Sequence, residues 1–235
     1  MTADAILADL QTLASPQKAA HLSRFFKTGP GEYGEGDLFL GIPVPETRNV
    51  AKKHRFASLA ELHQLLQSPW HEARLCALLI LVLQMQCAPA DSPLREEIFR
   101  FYLAHARRCN NWDLVDLSCP HLVGAYLLDK PREVLYVLAD SPNLWEQRIA
   151  LVSTLPLIRH DDFTDILALS VRLMSHPHDL IHKAIGWMLR EVGKRHRPTL
   201  TSFLATYKRQ LPRTALRYAI EHYPEEERKA WLAKD

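Results

Sequence analysis

The segment CNNWDLVDLSCP (109–120) contains the residues best suited to chemistry. Trp112 and Asp116 stand four residues apart and share one face of a helix, whereas Asp113 is expected to point elsewhere. A carboxylate and an indole face both attract positive charge. The pair is also typical of a packed helix edge with a solvated acid, so it gains meaning only if other aromatic and cationic groups converge on it.

Two later motifs supply such groups: NLWEQRIA (143–150) contains Trp145 and Arg148, and IHKAIGWMLRE (181–191) contains Lys183, Trp187 and Arg190. Trp187 is four residues from Lys183 and three from Arg190, so cations surround it on a helix. If the motifs belong to stacked repeats, Asp116, Arg148 and Trp187 line one wall. The alternative is that each tryptophan simply packs in the core.

The elements that must position these residues are helices. Apolar residues recur at three- and four-residue intervals, which predicts helices in 58–67, 70–86, 94–108, 144–158, 162–174, 180–192 and 200–207. Prolines mark the expected helix starts, at Pro16, Pro45, Pro69, Pro93, Pro131, Pro142, Pro177, Pro198, Pro212 and Pro224. We therefore predict an all-α protein with ten to fourteen short helices, in a single domain.

A repeat with a period in the mid-thirties is also visible. Arg74, Arg148 and Lys183 each precede a compact apolar stretch, and the steps between them are 74 (twice 37) and 35 residues. One further step lands next to Arg217, one place out of register, and the skipped unit falls near 113–116. This spacing favours an α-solenoid of HEAT-like helix pairs. The alternative is an irregular helical domain with chance spacing.

Charge is unevenly distributed along the chain. Segment 183–217 contains nine Lys or Arg and one acid, Glu191, and carries a net charge of +8. Because the whole chain carries +2, the other 200 residues carry −6. A basic region sorted in this way is typical of a phosphate-binding surface.

Composition and motifs exclude several classes of protein. Hydrophobic residues at 47% and charged residues at 24% are typical of a globular protein. The N-terminal sequence lacks signal-peptide features, and the longest uncharged apolar run, 75–85, is too short to span a bilayer. The cysteines form no CxxC pair, which argues against a zinc ribbon or an iron–sulfur cluster: Cys76, Cys87, Cys109 and Cys119. We expect a cytoplasmic protein with free thiols.

Two other patterns are weak. Gly29, Gly31 and Gly34 spell GxGxxG, but a basic helical segment precedes them and Glu32 and Glu35 intrude where an anion would sit, so we predict a flexible loop. A second pattern groups three histidines: His176, His178 and His182. They lack a metal-site spacing, and we predict solvent-facing residues at a helix start.

Four stretches resemble the AlkD family of DNA alkylation repair proteins, which are HEAT-like-repeat DNA glycosylases. They are FLGIPVPETRNVAK (39–52), NNWDLVDLSCP (110–120), LWEQRIAL (144–151) and HKAIGWMLREVGK (182–194). They occur in the family's order and spacing, and the likeness runs from about residue 17 to the C-terminus. The combination of W-x3-D, W-x2-R and K-A-I-G-W-x-L-R-E makes the resemblance specific.

The resemblance implies a curved α-solenoid whose basic concave face grips duplex DNA. Family members of this type excise cationic N-alkylated purines such as 3-methyladenine and 7-methylguanine, without a metal or nucleotide cofactor. We therefore expect residues 1–235 to form one DNA-binding glycosylase domain. We also expect a monomer that binds double-stranded DNA containing alkylated bases, has no membrane partner, and works in the cytoplasm at the nucleoid.

By the same resemblance, Asp116 is the catalytic carboxylate, Trp112 and Trp187 are the flanking aromatic residues, and the DNA-binding residues are Arg148, Lys183, Arg190, Phe25, Lys194 and Arg195. Phe25 matches a position where the family often has tyrosine, so a hydroxyl is missing there. The Gly-rich loop 29–37 resembles an insertion before FLGI.

Two other functions are compatible with the same scaffold. A non-catalytic protein that binds DNA structures would be expected to lose the carboxylate or an aromatic residue, and this chain keeps Trp112, Asp116, Arg148 and Trp187. A HEAT-type scaffold for a protein partner would need an exposed apolar groove, whereas the sorted charge favours a polyanion.

Overall fold

The computed structural model describes residues 2–233, and all the regular structure in that range is helical. Fifteen α-helices follow one another within these described residues, with short 3₁₀ and π-helical turns between some of them. The described residues contain no β-strand, and their one isolated β-bridge pairs Leu38 with Trp70. The prediction of an all-α protein is confirmed.

The chain groups into two compact units, and the first is Met1–Leu122. Its helices are α1 (Ala3–Thr12), α2 (Pro16–Phe25), α3 (Val44–Lys53), α4 (Leu59–Leu66), α5 (His71–Cys87), α6 (Pro93–Ala104) and α7 (Trp112–Asp116). Residues 71–82 of α5 are all buried, because α1, α3, α4, α6 and α7 pack around it. This central helix carries the core of the unit.

The second unit is Val123–Asp235. Its helices are α8 (Glu133–Ala139), α9 (Leu144–Val152), α10 (Leu155–Arg159), α11 (Thr164–Leu173), α12 (Asp179–Arg195), α13 (Arg197–Tyr207), α14 (Arg213–Ala219) and α15 (Glu225–Leu232). Here α12 is central, and α9, α10, α11, α13 and α14 pack against it.

The proline-based helix starts are confirmed. Six of the ten prolines occupy the N-cap or the first two helical positions: Pro16, Pro45, Pro93, Pro198, Pro212 and Pro224. The other four lie immediately before an N-cap residue: Pro69, Pro131, Pro142 and Pro177. Proline fits these positions because the first backbone N–H groups of a helix have no intrahelical acceptor.

The number of helices exceeds the predicted ten to fourteen for two reasons. No proline precedes α1, so the proline pattern missed it. The predicted helix 144–158 divides into α9 and α10, since Pro156 in the first turn of α10 has no N–H to continue the ladder.

The basic residues that define the predicted repeat occupy similar positions within their helices. Arg148, Lys183 and Arg217 are each the fifth residue of α9, α12 and α14, and Arg74 is the fourth residue of α5. The unit skipped by the alignment corresponds to α7, which is only five residues long. Basic residues therefore recur at the fourth or fifth position of α5, α9, α12 and α14.

The loop before α3 is held in place by a close approach to α2. The backbone N–H of Ser15 donates to the carbonyl of Leu40 at 2.8 Å, and Gly41 has a φ of +83°. A Cβ on Gly41 would lie 2.2 Å from the carbonyl oxygen of Ser15 and 2.6 Å from the nitrogen of Ala19. Only glycine fits at this point.

We expect Gly41→Ala to lower the free energy of unfolding by about 3 kcal/mol, because it adds a backbone clash to the strain of a positive φ. Gly36→Ala is the matched control, since Gly36 has the same φ of +83° and a Cβ added there would meet nothing within 4 Å. The control should cost roughly 1 kcal/mol. Urea unfolding of both variants measures the difference, and equal losses would contradict the close approach.

Candidate functional site

A cavity of about 410 Å³ lies in the first unit, where α2, the loop 39–43, α5 and α7 meet. Phe25, Trp112 and Asp116, all selected from the sequence, line it together. Its lining is mostly aliphatic and aromatic, with polar groups contributed by α5 and α7. A mostly apolar cavity with a few convergent polar groups is typical of a ligand-binding site.

One wall of the cavity is a stack of aromatic rings. Phe26 is central to it, with its ring centroid 5.2 Å from that of Phe39 and 5.1 Å from that of Trp112. Phe25 contacts Trp112 edge to face at 5.9 Å, and 57% of Phe25 is exposed. The ring of Phe25 therefore remains accessible for contact with a ligand.

Behind this wall, His71 lies buried between two carboxylates. Its Nε2 is 2.8 Å from Oδ2 of Asp113, and its Nδ1 is 3.2 Å from Oδ2 of Asp37. Burial alone would lower the pKa of His71, but the charge of Asp113 and its hydrogen bond, together with Asp37, raise that pKa to about 9. Both ring nitrogens thus carry a proton and donate, which makes His71 an imidazolium at neutral pH.

The carboxylate of Asp37 accepts hydrogen bonds from two parts of the chain, the first turn of α5 and residues 110–111. Besides His71, its carboxylate accepts from Arg74 Nη2 at 2.5 Å, from Asn110 Nδ2 at 2.9 Å and from Asn111 Nδ2 at 3.5 Å. Burial alone would raise the pKa of Asp37, but the hydrogen bond from His71 and the charge of Arg74 hold that pKa below its usual value. This network ties the end of the Gly-rich loop to α5 and to the start of α7.

Glu72 fixes the loop that carries Phe39. Its buried carboxylate accepts the backbone N–H groups of Leu40, Gly41 and Ile42 at 2.9, 2.8 and 3.1 Å. The side chain of Phe39 can then stack on His71, with ring centroids 4.5 Å apart. A buried acid is thereby satisfied by three donors, as burial of charge requires.

Helix α7 holds the two carboxylates of the motif. Asn111 caps it by accepting the N–H of Trp112 at 2.8 Å, and Trp112 and Asp116 share a face as predicted. The expectation that Asp113 points elsewhere is wrong, since it lines the same cavity. Residues three apart on a helix are also neighbours. The two carboxylates differ in burial. Asp113 is buried and paired with His71, whereas Asp116 is half-buried.

The remaining selected residues lie in the second unit, mostly on α12. Lys183, Trp187, Arg190 and Lys194 follow at i, i+4, i+7 and i+11, so they lie along one helix face. Trp187 is half-buried among these cations. Cations therefore flank Trp187 on α12, as the spacing of these residues predicts.

Acidic partners accompany those cations. Arg195 forms two bonds with Asp161 at 2.8 and 2.7 Å, and Arg190 pairs with Glu221. Two further pairs lie within α12: Lys183 with Asp179 at 2.8 Å and Lys194 with Glu191 at 2.8 Å. Because Asp161, Asp179 and Glu221 come from outside 183–217, the net charge of that segment overstates the positive charge it presents.

Arg148 is buried, with only 5% of the residue exposed. Its Nη1 donates to the carbonyl of Leu180 at 2.6 Å, in the first turn of α12. In this structure Arg148 therefore joins α9 to α12.

The glycine pattern lies in a loop as predicted, but the prediction that the three histidines face solvent is wrong, since His176, His178 and His182 are all half-buried. Gly29 and Gly31 lie in a loop, and their N–H groups donate to the carboxylates of Glu32 and Glu35, both at 2.9 Å. The loop's own acids thus occupy the donors that an anion would need. His178 is the N-cap of α12 and accepts the N–H of Leu180 at 3.1 Å.

Sequence reasoning missed several residues that line the cavity or support its wall, namely Phe26, Phe39, Asp37, His71 and Glu72. One signal was available: His71, Glu72 and Arg74 are polar residues in the first turn of a mostly apolar helix. Polar residues that are buried in such a helix need partners, and those partners define the site.

Two general properties complete the description of residues 2–233. No group of three or more His, Cys, Asp or Glu side chains in this range is arranged to hold a metal ion. None of the helices in the same range is long and apolar enough to cross a membrane.

Comparison with known proteins shows which proteins this chain is similar to. A family model described as DNA alkylation repair enzyme matches residues 6–223. The fold is similar to that of a predicted DNA alkylation repair enzyme from Enterococcus faecalis, with a TM-score of 0.72 and 21% identity, over 90% of this chain and 97% of that one.

A second solved structure is described as a new family of proteins related to the HEAT-like repeat DNA glycosylases with affinity for branched DNA structures. Its TM-score is 0.59 and its identity 12%, over 93% of this chain and 83% of the other. At such identities the likeness shows the fold alone, and it confirms the predicted HEAT-like-repeat class. No curated protein sequence matches the chain.

We expect the free energy of unfolding to decrease as pH rises from about 6.5 to about 9. The folded pKa of His71 lies above its unfolded value, so its stabilisation is complete below pH about 6.5 and is lost as pH passes about 9. The shift corresponds to about 3 kcal/mol. Urea unfolding at a series of pH values measures this loss.

His71→Gln should remove most of that pH dependence, whereas His21→Gln, at an exposed histidine, should behave like the wild type. Parallel pH curves for the wild type and His71→Gln would contradict a bridging imidazolium. If His71→Gln does not fold, NMR of the ring protons in the wild type gives the pKa directly.

Proposed function

Because this chain belongs to the DNA alkylation repair enzyme family, we propose that it is a DNA glycosylase that hydrolyses the N-glycosidic bond of cationic N-alkylated purines in duplex DNA. The membership confirms the resemblance carried by the four motifs, all of which lie within residues 6–223. The chain is thus a DNA repair protein of an enzyme family, and 3-methyladenine and 7-methylguanine are the substrates we propose.

The observation that carries this proposal is the position of Asp116. Its half-buried carboxylate lines a cavity that Trp112, Phe25 and Phe26 also line. An anion and π faces around one space favour a cationic ligand, and each cation–π contact contributes about 0.5–2 kcal/mol depending on desolvation. A cationic purine nucleotide is a ligand of that kind.

The chemistry follows from the charge of the substrate. Alkylation of a ring nitrogen makes the purine a good leaving group, so no general acid is needed to protonate it. As the bond breaks, positive charge develops on the sugar, and the Asp116 carboxylate stabilises it electrostatically. The same carboxylate can orient the water that attacks the anomeric carbon. Trp112 contributes its indole face on the cavity side, and we propose that Trp187 is the second flanking aromatic residue.

We propose that cations of the second unit contact the DNA backbone: Lys183, Arg190, Lys194 and Arg195, and also Arg148 after its buried guanidinium leaves the carbonyl of Leu180. Most have acidic partners in the free protein, so phosphates would replace those carboxylates when DNA binds. Contacts of this type position the protein without reading sequence. We propose that residues 1–235 act as one DNA-binding domain, as a monomer, in the cytoplasm at the nucleoid.

A second candidate function is binding of DNA structures without catalysis. It is favoured by the likeness to the structure described as having affinity for branched DNA. Phe25, which has no hydroxyl, is compatible with both functions. Base release distinguishes the two functions, because only a glycosylase releases free base from methylated duplex DNA.

We expect Asp116→Asn to reduce release of 7-methylguanine from methylated duplex DNA at least about 100-fold, because the variant loses the charge that stabilises the transition state. Binding to undamaged duplex should change little, since the amide is similar in size. Chromatography of the released bases and fluorescence anisotropy measure the two properties.

Asp91→Asn is the control, since Asp91 is an exposed carboxylate of the first unit outside the cavity. It should leave base release at the wild-type rate. Full activity in Asp116→Asn would remove Asp116 from the mechanism. No base release by the wild type, together with a preference for branched over linear DNA, would favour the non-catalytic function.

A further inference from the structure

A small basic cleft lies in the first unit, apart from the candidate cavity. It encloses about 80 Å³, and its polar lining residues are Arg48, Lys52, Gln86 and His121. The other lining residues are aliphatic, and no Asp or Glu is among the described residues that form it. The cleft therefore presents hydrogen-bond donors and positive charge, and no carboxylate lies among its described lining residues.

Two helices lead from the cavity to this cleft. Along α3, Val44 lines the cavity, and Arg48 and Lys52 line the cleft. These three residues are spaced by four, so they share one face of α3, with about 6 Å of helix rise between successive members. Along α5, Leu75 lines the cavity and Leu79 the cleft. The cleft is thus a continuation of the surface that contains Asp116.

The other cations of this region already have partners. Lys53 Nζ lies 2.7 Å from Asp9, and the guanidinium of Arg55 lies 4.4 Å from the ring centroid of Phe56. Within residues 2–233, by contrast, neither Arg48 nor Lys52 forms an ion pair, and both are exposed. Two adjacent like charges on one helix face are unfavourable, unless an anion binds there.

The cavity itself leaves the phosphates of a bound nucleotide without cationic partners. No Lys or Arg is among the described residues that line it, and Asp116 would repel a phosphate. A DNA strand whose damaged nucleotide lies at the cavity needs cations beside it. Arg48 and Lys52 are close enough along α3 to meet neighbouring phosphates of one strand.

We propose that Arg48 and Lys52, supported by Gln86 and His121, form a phosphate-binding track for the DNA strand that passes the candidate cavity. This proposal rests on the proposed function, because a DNA glycosylase must bind duplex DNA. Its ligand is the phosphodiester backbone, bound through charge and through the N–H donors of these side chains.

The test compares two double variants by their affinity for undamaged duplex DNA at several salt concentrations. Arg48→Gln/Lys52→Gln removes the track, and Lys53→Gln/Arg55→Gln removes two charges from the same region at positions outside it. In the wild type, log Kobs falls linearly with log salt, and losing two phosphate contacts should reduce that slope by about 1.8. At about 0.1 M salt, affinity should fall at least about tenfold. The control slope should change by less than about 0.5.

An unchanged slope in Arg48→Gln/Lys52→Gln, or equal changes in both double variants, would overturn the track. Because the duplex is undamaged, this result does not depend on catalysis. If the wild type releases methylated bases but the slope of Arg48→Gln/Lys52→Gln is unchanged, the track alone is refuted. If the slope of that double variant is reduced but the wild type releases no base, the track is supported and the proposed glycosylase activity is refuted. A wild type that does not bind duplex DNA refutes both.

Discussion

The buried imidazolium of His71 holds the candidate site together. It donates to Asp113 at one ring nitrogen and to Asp37 at the other, while Arg74 balances the second negative charge. The four groups come from the loop before α3, from α5 and from α7, and their formal charges cancel. Removing one partner of a buried ion pair typically costs about 3–5 kcal/mol, because the remaining charge stays buried and unpaired. The position of α7, and hence of Trp112 and Asp116, depends on this network.

The same network explains why two carboxylates three residues apart differ in burial and in partners. The carboxylate of Asp113 is paired with His71 in the interior, so it has a structural role. Asp116, half-buried at the cavity, lies beside aromatic rings whose arrangement Phe26 and Phe39 maintain. Glu72 secures Phe39 through the three backbone N–H groups of its loop. A preorganised anion of this kind can stabilise developing positive charge without rearrangement, which is the main electrostatic requirement of the proposed reaction.

Periodicity and proline positions predicted the helices because both are local properties of the chain. The sharing of one helix face by Trp112 and Asp116 was equally predictable, since a spacing of four fixes it. The partnership of Asp37 with His71 was not, because 34 residues separate them and only the packing of the loop on α5 brings them together. The ion pairing of segment 183–217 was unpredictable for the same reason, because Asp161 and Glu221 reach its cations from other parts of the chain.

We propose that the site acts on a base because the base is positively charged. The most direct measurement compares release of 7-methylguanine and of hypoxanthine, a neutral purine, from otherwise identical duplexes by the wild-type protein. We predict release of 7-methylguanine and at least about 100-fold slower release of hypoxanthine, because only the charged base leaves without a general acid. Comparable rates for the two bases, or no release of 7-methylguanine, would contradict this claim.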